Sequence, residues 1–336
     1  MDRAASFGAF TYHGGALEVA RRLMPDAPKP WIDLSTGVNP HAYPLPDLEP
    51  EAWLRLPESG ALAKLEAVAA QRYGVDPACT VAGPGSQALI QALSRLLPHG
   101  TVGALGPTYG GFAAAFAAAG AHVIEAGRLD ALDALDVGIV VNPNNPDGRI
   151  TPRGALVDLH RRLAERGGIL VVDEAFADFD AEAESLAPAL PRRAAVVLRS
   201  FGKAYGLAGL RLGFALASPD IAPSLRAALG PWPVSGPAIA IGAKALADSD
   251  WLKAARARLS EEAARLDALL RGAGGRIIGG TCLFRLAGRS DALADFERLL
   301  TAGILARPFA DAPARLRFGI PPDENAWERL ALALRG

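Results

Sequence analysis

From about residue 60 the apolar positions of this chain alternate between helical and strand spacing, a pattern that predicts an α/β fold with a mostly parallel sheet. Leu62, Leu65, Val68 and Ala69 recur at helical spacing and predict a helix over 61–73, stopped by Gly74. Short β-rich runs follow at 80–82, 101–105, 122–125, 137–141, 169–172, 195–198 and 212–216, most of them separated by helix-like segments. They predict a large sheet of seven strands. The runs at 137–141 and 169–172 are apolar without alternation, so helices should cover both faces of the sheet. Their C-terminal ends should form the crevice where a ligand binds. After Pro231-Trp232-Pro233 the pattern becomes one long amphipathic helix over 238–270, then short strands near 275–286 and 304–307 and a helix over 324–334. The expected organisation is an N-terminal segment (1–45), a large domain (46–232) and a smaller α+β C-terminal domain (233–336).

Charge and composition narrow the partners. Lys and Arg number 35 against 36 Asp and Glu, a net charge of −1, so no global field recruits nucleic acid or an anionic membrane. Any anionic ligand must be held locally. The two cysteines, Cys79 and Cys282, lie far apart and near no histidine cluster, which argues against a zinc site or a disulfide framework and leaves a reducing cytosol as the default. No metal is expected. The longest greasy segment, 112–124, is broken by Gly120 and falls short of the roughly 18 apolar residues a membrane span needs. With no export signal visible at the N-terminus, a soluble, cytoplasmic protein is expected.

Lysine is scarce, with only Lys29, Lys64, Lys203, Lys244 and Lys253. Lys203 stands out because it follows the 195–198 run in a segment rich in small residues, Ser200 to Gly213, where backbone can approach a ligand closely. Taken alone, a solvated loop lysine explains it equally well. The strand-like run ending at Val172 carries Asp173-Glu174-Ala175-Phe176 to the same crevice, and the run ending at Val141 carries Asn142-Pro143-Asn144-Asn145-Pro146. In isolation these read as a helix cap and a turn. The segment Ala82-Gly83-Pro84-Gly85-Ser86-Gln87 combines a strand, a glycine turn and the start of a helix, and a helix N-terminus readily binds anions.

In this order the three crevice motifs resemble the fold-type-I pyridoxal-phosphate enzymes, the aspartate-aminotransferase superfamily, over nearly the whole chain. The resemblance implies a large cofactor-binding domain with a mostly parallel seven-stranded sheet, a smaller α+β domain, an N-terminal segment that contributes to the active site, and a homodimer. It implies pyridoxal 5'-phosphate as cofactor, with Lys203 as the Schiff-base residue and Asp173 at the ring nitrogen. Asn145 would bond the 3-oxygen, Tyr109 would stack on the ring, and Ser200, Arg211 and the Gly85-Ser86-Gln87 turn would hold the phosphate. Each role has a physical reason. A carboxylate beside the ring nitrogen favours the protonated ring, the better electron sink. A buried, cation-rich pocket lowers a lysine pKa and frees its amine. Two positions depart from the family pattern: Phe176 stands where many aminotransferases have a tyrosine, and Leu56-Pro57 where relatives often have Tyr-Pro.

The stretch Tyr12-His13-Gly14-Gly15, followed by Asp33-Leu34-Ser35-Thr36-Gly37-Val38-Asn39-Pro40, is similar to the threonine-phosphate decarboxylases of cobalamin biosynthesis. The histidinol-phosphate aminotransferases are the nearest alternative, and a non-catalytic sensor built on the same fold is an alternative of a different class. The first resemblance implies a small phosphorylated amino acid as substrate, contacted by His13, Thr36 and Asn39, with Arg307 and Arg315 as anion binders. In relatives the arginine of the last motif stands four residues before a glycine, which points to Arg315. Arg315 and Arg317, two apart on a strand, should share a face, so periodicity leaves that choice open.

Overall fold

The computed structural model describes residues 8, 10, 11, 13–98, 100–179 and 184–335; Tyr12 of the N-terminal motif lies outside them. The chain forms two compact units, Met1–His41 with Ala254–Gly336, and Ala42–Lys253.

After β1 (Ile32–Asp33) of the first unit, the second unit is built on β2 (Thr80–Gly83), β3 (Thr101–Leu105), β4 (His122–Ala126), β5 (Val137–Val141), β6 (Ile169–Asp173), β7 (Ala195–Ser200) and β8 (Gly213–Ala217). These seven lie in one sheet, in the order β2-β8-β7-β6-β5-β3-β4. Pairs within β7-β6-β5-β3-β4 are parallel, and β8 runs antiparallel to β7 and β2. All seven strands form where the apolar runs predict them, with ends differing by at most two residues. The continuous runs are buried as expected, β5 and β7 along their whole length and β6 from Leu170 onward. Helices Ser86–Leu96 and Gly111–Ala118 pack their Leu89, Ile90, Leu93, Phe112 and Phe116 into that core. Each such fully buried side chain contributes about 1.5–3 kcal/mol. Helix Ser59–Tyr73 ends at Gly74, whose φ of 70° is the left-handed conformation that closes a helix without steric cost.

The single helix expected over 238–270 is two helices, Gly236–Ala247 and Ser249–Gly272. Asp248 breaks them apart: its ψ of 80° leaves helical geometry, and its Oδ1 accepts the Trp251 N–H at 3.0 Å, as an N-capping aspartate does. Apolar spacing continues through the break because both helices bury one face, and that continuity hides the join. The boundary between the two compact units falls inside the second helix.

The first unit contains β9 (Arg276–Thr281), β10 (Phe284–Gly288), β11 (Ile304–Leu305), β12 (Arg307–Pro308) and β13 (Arg315–Gly319). β12-β13-β10-β9 form an antiparallel sheet, and β1 pairs in parallel with β11. Among the described residues no helix is long and apolar enough to cross a membrane.

Candidate active site

Side chains alternate across a strand, so Asp173 and Glu174 at the end of β6 leave it in opposite directions. Asp173 is buried and its Oδ1 accepts the Ala175 N–H at 3.0 Å. Burial pushes its pKa up to about 6, with the Ala175 N–H and the Lys203 charge pulling the other way. Lys203 sits on the short helix Phe201–Ala204 directly after β7, its Nζ 5.6 Å from the centre of the Phe176 ring. Glu174 serves a different purpose. Fully buried, it accepts from Arg199 Nη1 at 2.6 Å, Ser185 Oγ at 2.5 Å and the Leu186 N–H at 2.7 Å, which makes it an internal tie.

A second group gathers where β2, β8 and β7 end. In register, Gly213 of β8 stands between Gly83 of β2 and Ser200 of β7. A Cβ on Gly213 would come within 2.5 Å of the Ser86 nitrogen, so only glycine lets the turn at Gly85-Ser86 approach Ser200. Gly85 holds φ at 89° and caps helix Ser86–Leu96 without a side-chain hydrogen bond. A Cβ there would lie 2.7 Å from Arg211 Nη2. Arg211 adopts the left-handed φ of 54° and anchors its Nη1 on Ala208 O at 3.2 Å. A helix N-terminus, a guanidinium and a serine thus converge on a place kept clear by two glycines, an arrangement that suits a phosphate group. With the buried carboxylate and the lysine, these residues fit pyridoxal phosphate.

The loops after β3 and β5 are tied together. Asn144 Nδ2 donates to Pro107 O at 3.0 Å, and Thr108 Oγ1 donates to Asn144 Oδ1 at 2.6 Å. This link brings the loop of Tyr109 against that of Asn145, which is itself buried. The Tyr109 hydroxyl donates to Gln87 Oε1 at 2.9 Å, joining it to the phosphate-type turn. Asn142 and Asn144 of the asparagine-proline motif are structural. Asn142 exchanges two hydrogen bonds with the Thr151 backbone, at 3.0 and 2.8 Å.

The remaining predicted residues belong to the other unit. His13 is exposed and donates from Nδ1 to Gly14 O at 2.8 Å. The Gly15 N–H donates to Ser35 Oγ at 2.7 Å, which in turn donates to Asp33 Oδ1 at 2.6 Å. A Cβ on Gly14 would lie 2.3 Å from Ser35 O, so the glycines let this stretch lie against Ser35-Thr36. Asn39 is buried and its Oδ1 accepts the His41 N–H at 2.9 Å. Arg307 and Arg317 are register partners on β12 and β13. Arg317, 1% exposed, donates from Nη2 to Ser35 O at 2.6 Å. Arg315 lies opposite Gly288 instead and lines a cavity with Arg276 and Arg289. The structure therefore joins Arg317, and not Arg315, to Arg307 and the Ser35-Thr36 segment. The sequence carries a signal for the unpredicted Arg199, a charged residue directly after the apolar run 195–198.

The chain is similar to known proteins over almost its full length. It is 45% identical over 329 residues to a threonine-phosphate decarboxylase of Pseudomonas aeruginosa, covering 96% of this chain and 97% of the relative. It is 43% identical over 324 residues to a threonine-phosphate decarboxylase of Sinorhizobium sp, covering 96% and 97%. Among solved structures, the histidinol-phosphate aminotransferase of Sinorhizobium meliloti in complex with pyridoxal-5'-phosphate superposes with a TM-score of 0.81 at 23% identity, over 95% of this chain and 93% of that one. That last likeness is one of fold. The model of the aminotransferase class I and II family matches residues 29–334, and with the strand order, the lysine after β7 and the carboxylate at the end of β6 all in place, the chain belongs to that family.

Proposed function

We propose that this chain is a threonine-phosphate decarboxylase that holds pyridoxal phosphate and converts L-threonine O-3-phosphate to (R)-1-amino-2-propanol O-2-phosphate and carbon dioxide, a step of cobalamin biosynthesis. The observation that carries this reading is the near-full-length likeness to two relatives that bear that name. The cofactor is implied by the family. Bound pyridoxal phosphate supplies an electron sink for the pair left when a bond at the substrate α-carbon breaks. Lys203 would supply the amine that holds the cofactor and a proton for the substrate α-carbon. Asp173 holds a proton on the ring nitrogen. Ser200, Arg211 and the Gly85-Ser86-Gln87 turn hold the cofactor phosphate, Asn145 the 3-oxygen, and Tyr109 the ring face.

The substrate carries two anions, a carboxylate and a phosphate, and the first unit carries two register-paired arginines, Arg307 and Arg317. We assign them to those anions, with His13, Thr36 and Asn39 as further contacts. The groups that orient the substrate carboxylate at the bound cofactor would select decarboxylation over transamination. A cytoplasmic location and association as a homodimer complete the proposal, the association supported by the exposed Trp53, Leu54, Leu56 and Trp232 of the second unit.

The test is to incubate the pyridoxal-phosphate-loaded protein with O-phospho-L-threonine and follow carbon dioxide, with L-histidinol phosphate plus 2-oxoglutarate in parallel. Carbon dioxide from the first and no glutamate from the second is expected. Glutamate alone would establish the aminotransferase instead. A protein that stays colourless after cofactor addition would favour the non-catalytic alternative.

A further inference from the structure

Behind the strand ends that carry Asp173 and Lys203 lies a buried ion cluster that the reaction as described does not use. Arg199, the residue before Ser200 on β7, is 5% exposed. Its Nη1 donates to Glu174 Oε2 at 2.6 Å and its Nη2 to Asp178 Oδ1 at 2.7 Å. The Tyr73 ring covers its guanidinium at 4.5 Å, and Arg72 stands 4.0 Å from Asp178. Asp173 pairs in register with Leu198, and the Glu174 N–H donates to Leu198 O at 2.9 Å. Glu174 and Arg199 are therefore the first residues past that pair on each strand. Their side-chain link staples β6 to β7 at the point where Asp173 leaves one and Ser200 and Lys203 leave the other.

We propose that Arg199 is a positioning residue for the reaction: held by Glu174 and Asp178, it fixes the ends of β6 and β7 and offsets the Glu174 charge next to Asp173. The Glu174 carboxylate next to Asp173 would otherwise make its ionisation costlier, since like charges in a low-dielectric interior oppose one another. The charged groups that act on Asp173 are Lys203 from the helix after β7, Glu174 from its own chain segment and Arg199 from β7. Lys203 and Arg199 favour its charged form, and Glu174 opposes it. Burial works against the charge of Arg199 too, but Asp178 and Glu174 outweigh it and hold its pKa above the ordinary arginine value. Arg199 therefore stays charged at every pH at which the protein is folded. A lysine could replace the charge but not the two-pronged staple, because only a guanidinium presents parallel donors to two carboxylates.

This inference rests on the cofactor reading above, and the test separates the two. In the full chain freed of cofactor, the dissociation constant of pyridoxal phosphate is measured against pH, with thermal unfolding beside it. Wild-type binding should tighten as pH rises through about 6, and Asp173→Asn should remove that part of the dependence. The difference between the two profiles is the titration of Asp173. Arg199→Met should move that difference upward, Glu174→Gln should move it downward, and Arg199→Lys should leave it near the wild-type position while lowering the unfolding temperature. A residue that only stiffened the fold would lower the unfolding temperature and leave the titration where it was. That result in Arg199→Met and Glu174→Gln overturns the proposal, as does an Arg199→Lys profile displaced as far as that of Arg199→Met. If Arg199→Met does not fold, Glu174→Gln and Arg199→Lys decide by the same criteria. A wild-type protein that binds no pyridoxal phosphate at any pH overturns the cofactor reading and the inference with it.

Discussion

Arg317 stands opposite Arg307 across the antiparallel strands β12 and β13, and its Nη2 donates 2.6 Å to the backbone oxygen of Ser35. Directly opposed like charges on neighbouring strands destabilise a sheet. Burial and the Arg307 charge push the Arg317 pKa down to about 9, so the guanidinium is still charged at neutral pH but held at a cost. An anion placed between the two offsets both the burial of charge and the mutual repulsion, which is the physical basis for the proposal that they bind substrate.

Arg317→Ala should raise KM for O-phospho-L-threonine by roughly 10- to 100-fold, the worth of about 1.5–3 kcal/mol for a charged hydrogen bond. Arg315→Ala, in its separate cavity, should change KM by no more than about threefold, as a surface substitution does. Steady-state kinetics on both variants checks this. A larger effect from Arg315 would return the assignment to that residue.

Asp173→Asn should stabilise the cofactor-free protein while damaging the enzyme. The carboxyl pKa rises from 3.8 unfolded to about 6 folded. Between those values the folded state binds the extra proton, so the buried charge destabilises the fold above pH 6, and the penalty vanishes as pH falls towards 4. Two units correspond to about 3 kcal/mol, an upper figure for the gain on removing the charge. Thermal unfolding at pH 7.5 and pH 4.5 is the measurement: a gain at the first that fades at the second. Turnover should fall by orders of magnitude, because the ring nitrogen loses its anion.

The sheet was legible because β5, β6 and β7 bury both faces and so write continuous apolar runs into the sequence, Val137 to Val141 being the plainest. Helix continuity was not, since Asp248 interrupts the backbone without interrupting the apolar stripe. For the site, Lys203 could be singled out by its rarity and its place after a strand. The resemblance alone pointed to Asp173 rather than Glu174; the residues by themselves could not, because adjacent residues on a strand end face opposite ways and the packed neighbours, Lys203 on one side and Arg199 on the other, distinguish them. The choice between Arg315 and Arg317 was out of reach for a related reason: period two puts both on one face, and what separates them is register, Gly288 opposite the first and Arg307 opposite the second.

Gly213→Ala tests the phosphate cradle. The added Cβ would meet backbone, the Ser86 nitrogen at 2.5 Å and the Gly85 carbonyl carbon at 2.9 Å, and backbone yields only by moving the strand or the helix start. A loss of about 1–3 kcal/mol in stability is expected from such overpacking, with cofactor affinity reduced at least tenfold. Gly85→Ala presses on the flexible end of Arg211 but also needs a φ of 89°, so it should weaken cofactor binding by a similar factor. Chemical denaturation and cofactor titration read the two effects separately. Cofactor affinity unchanged in both variants would mean that the phosphate is held elsewhere.

Lys203→Ala carries two expectations with different readouts. If its amine attaches the cofactor, the visible absorbance band of the loaded protein should disappear, dialysis should strip the cofactor, and turnover should drop below detection. Turnover above about 1% of wild type would remove the covalent role, since the rate contributed by an attached nucleophile is larger than that. The second expectation concerns the cofactor-free protein. Lys203 is one of the charges that favour ionised Asp173, so its loss should drive the Asp173 pKa further up and destabilise the fold above pH 6, with the deficit closing as pH falls and the carboxyl protonates in both proteins. The double variant Lys203→Ala with Asp173→Asn should recover the stability lost by the first at neutral pH but none of the activity. A deficit independent of pH would instead locate the effect in packing against Phe176, whose ring lies 5.6 Å below the ammonium.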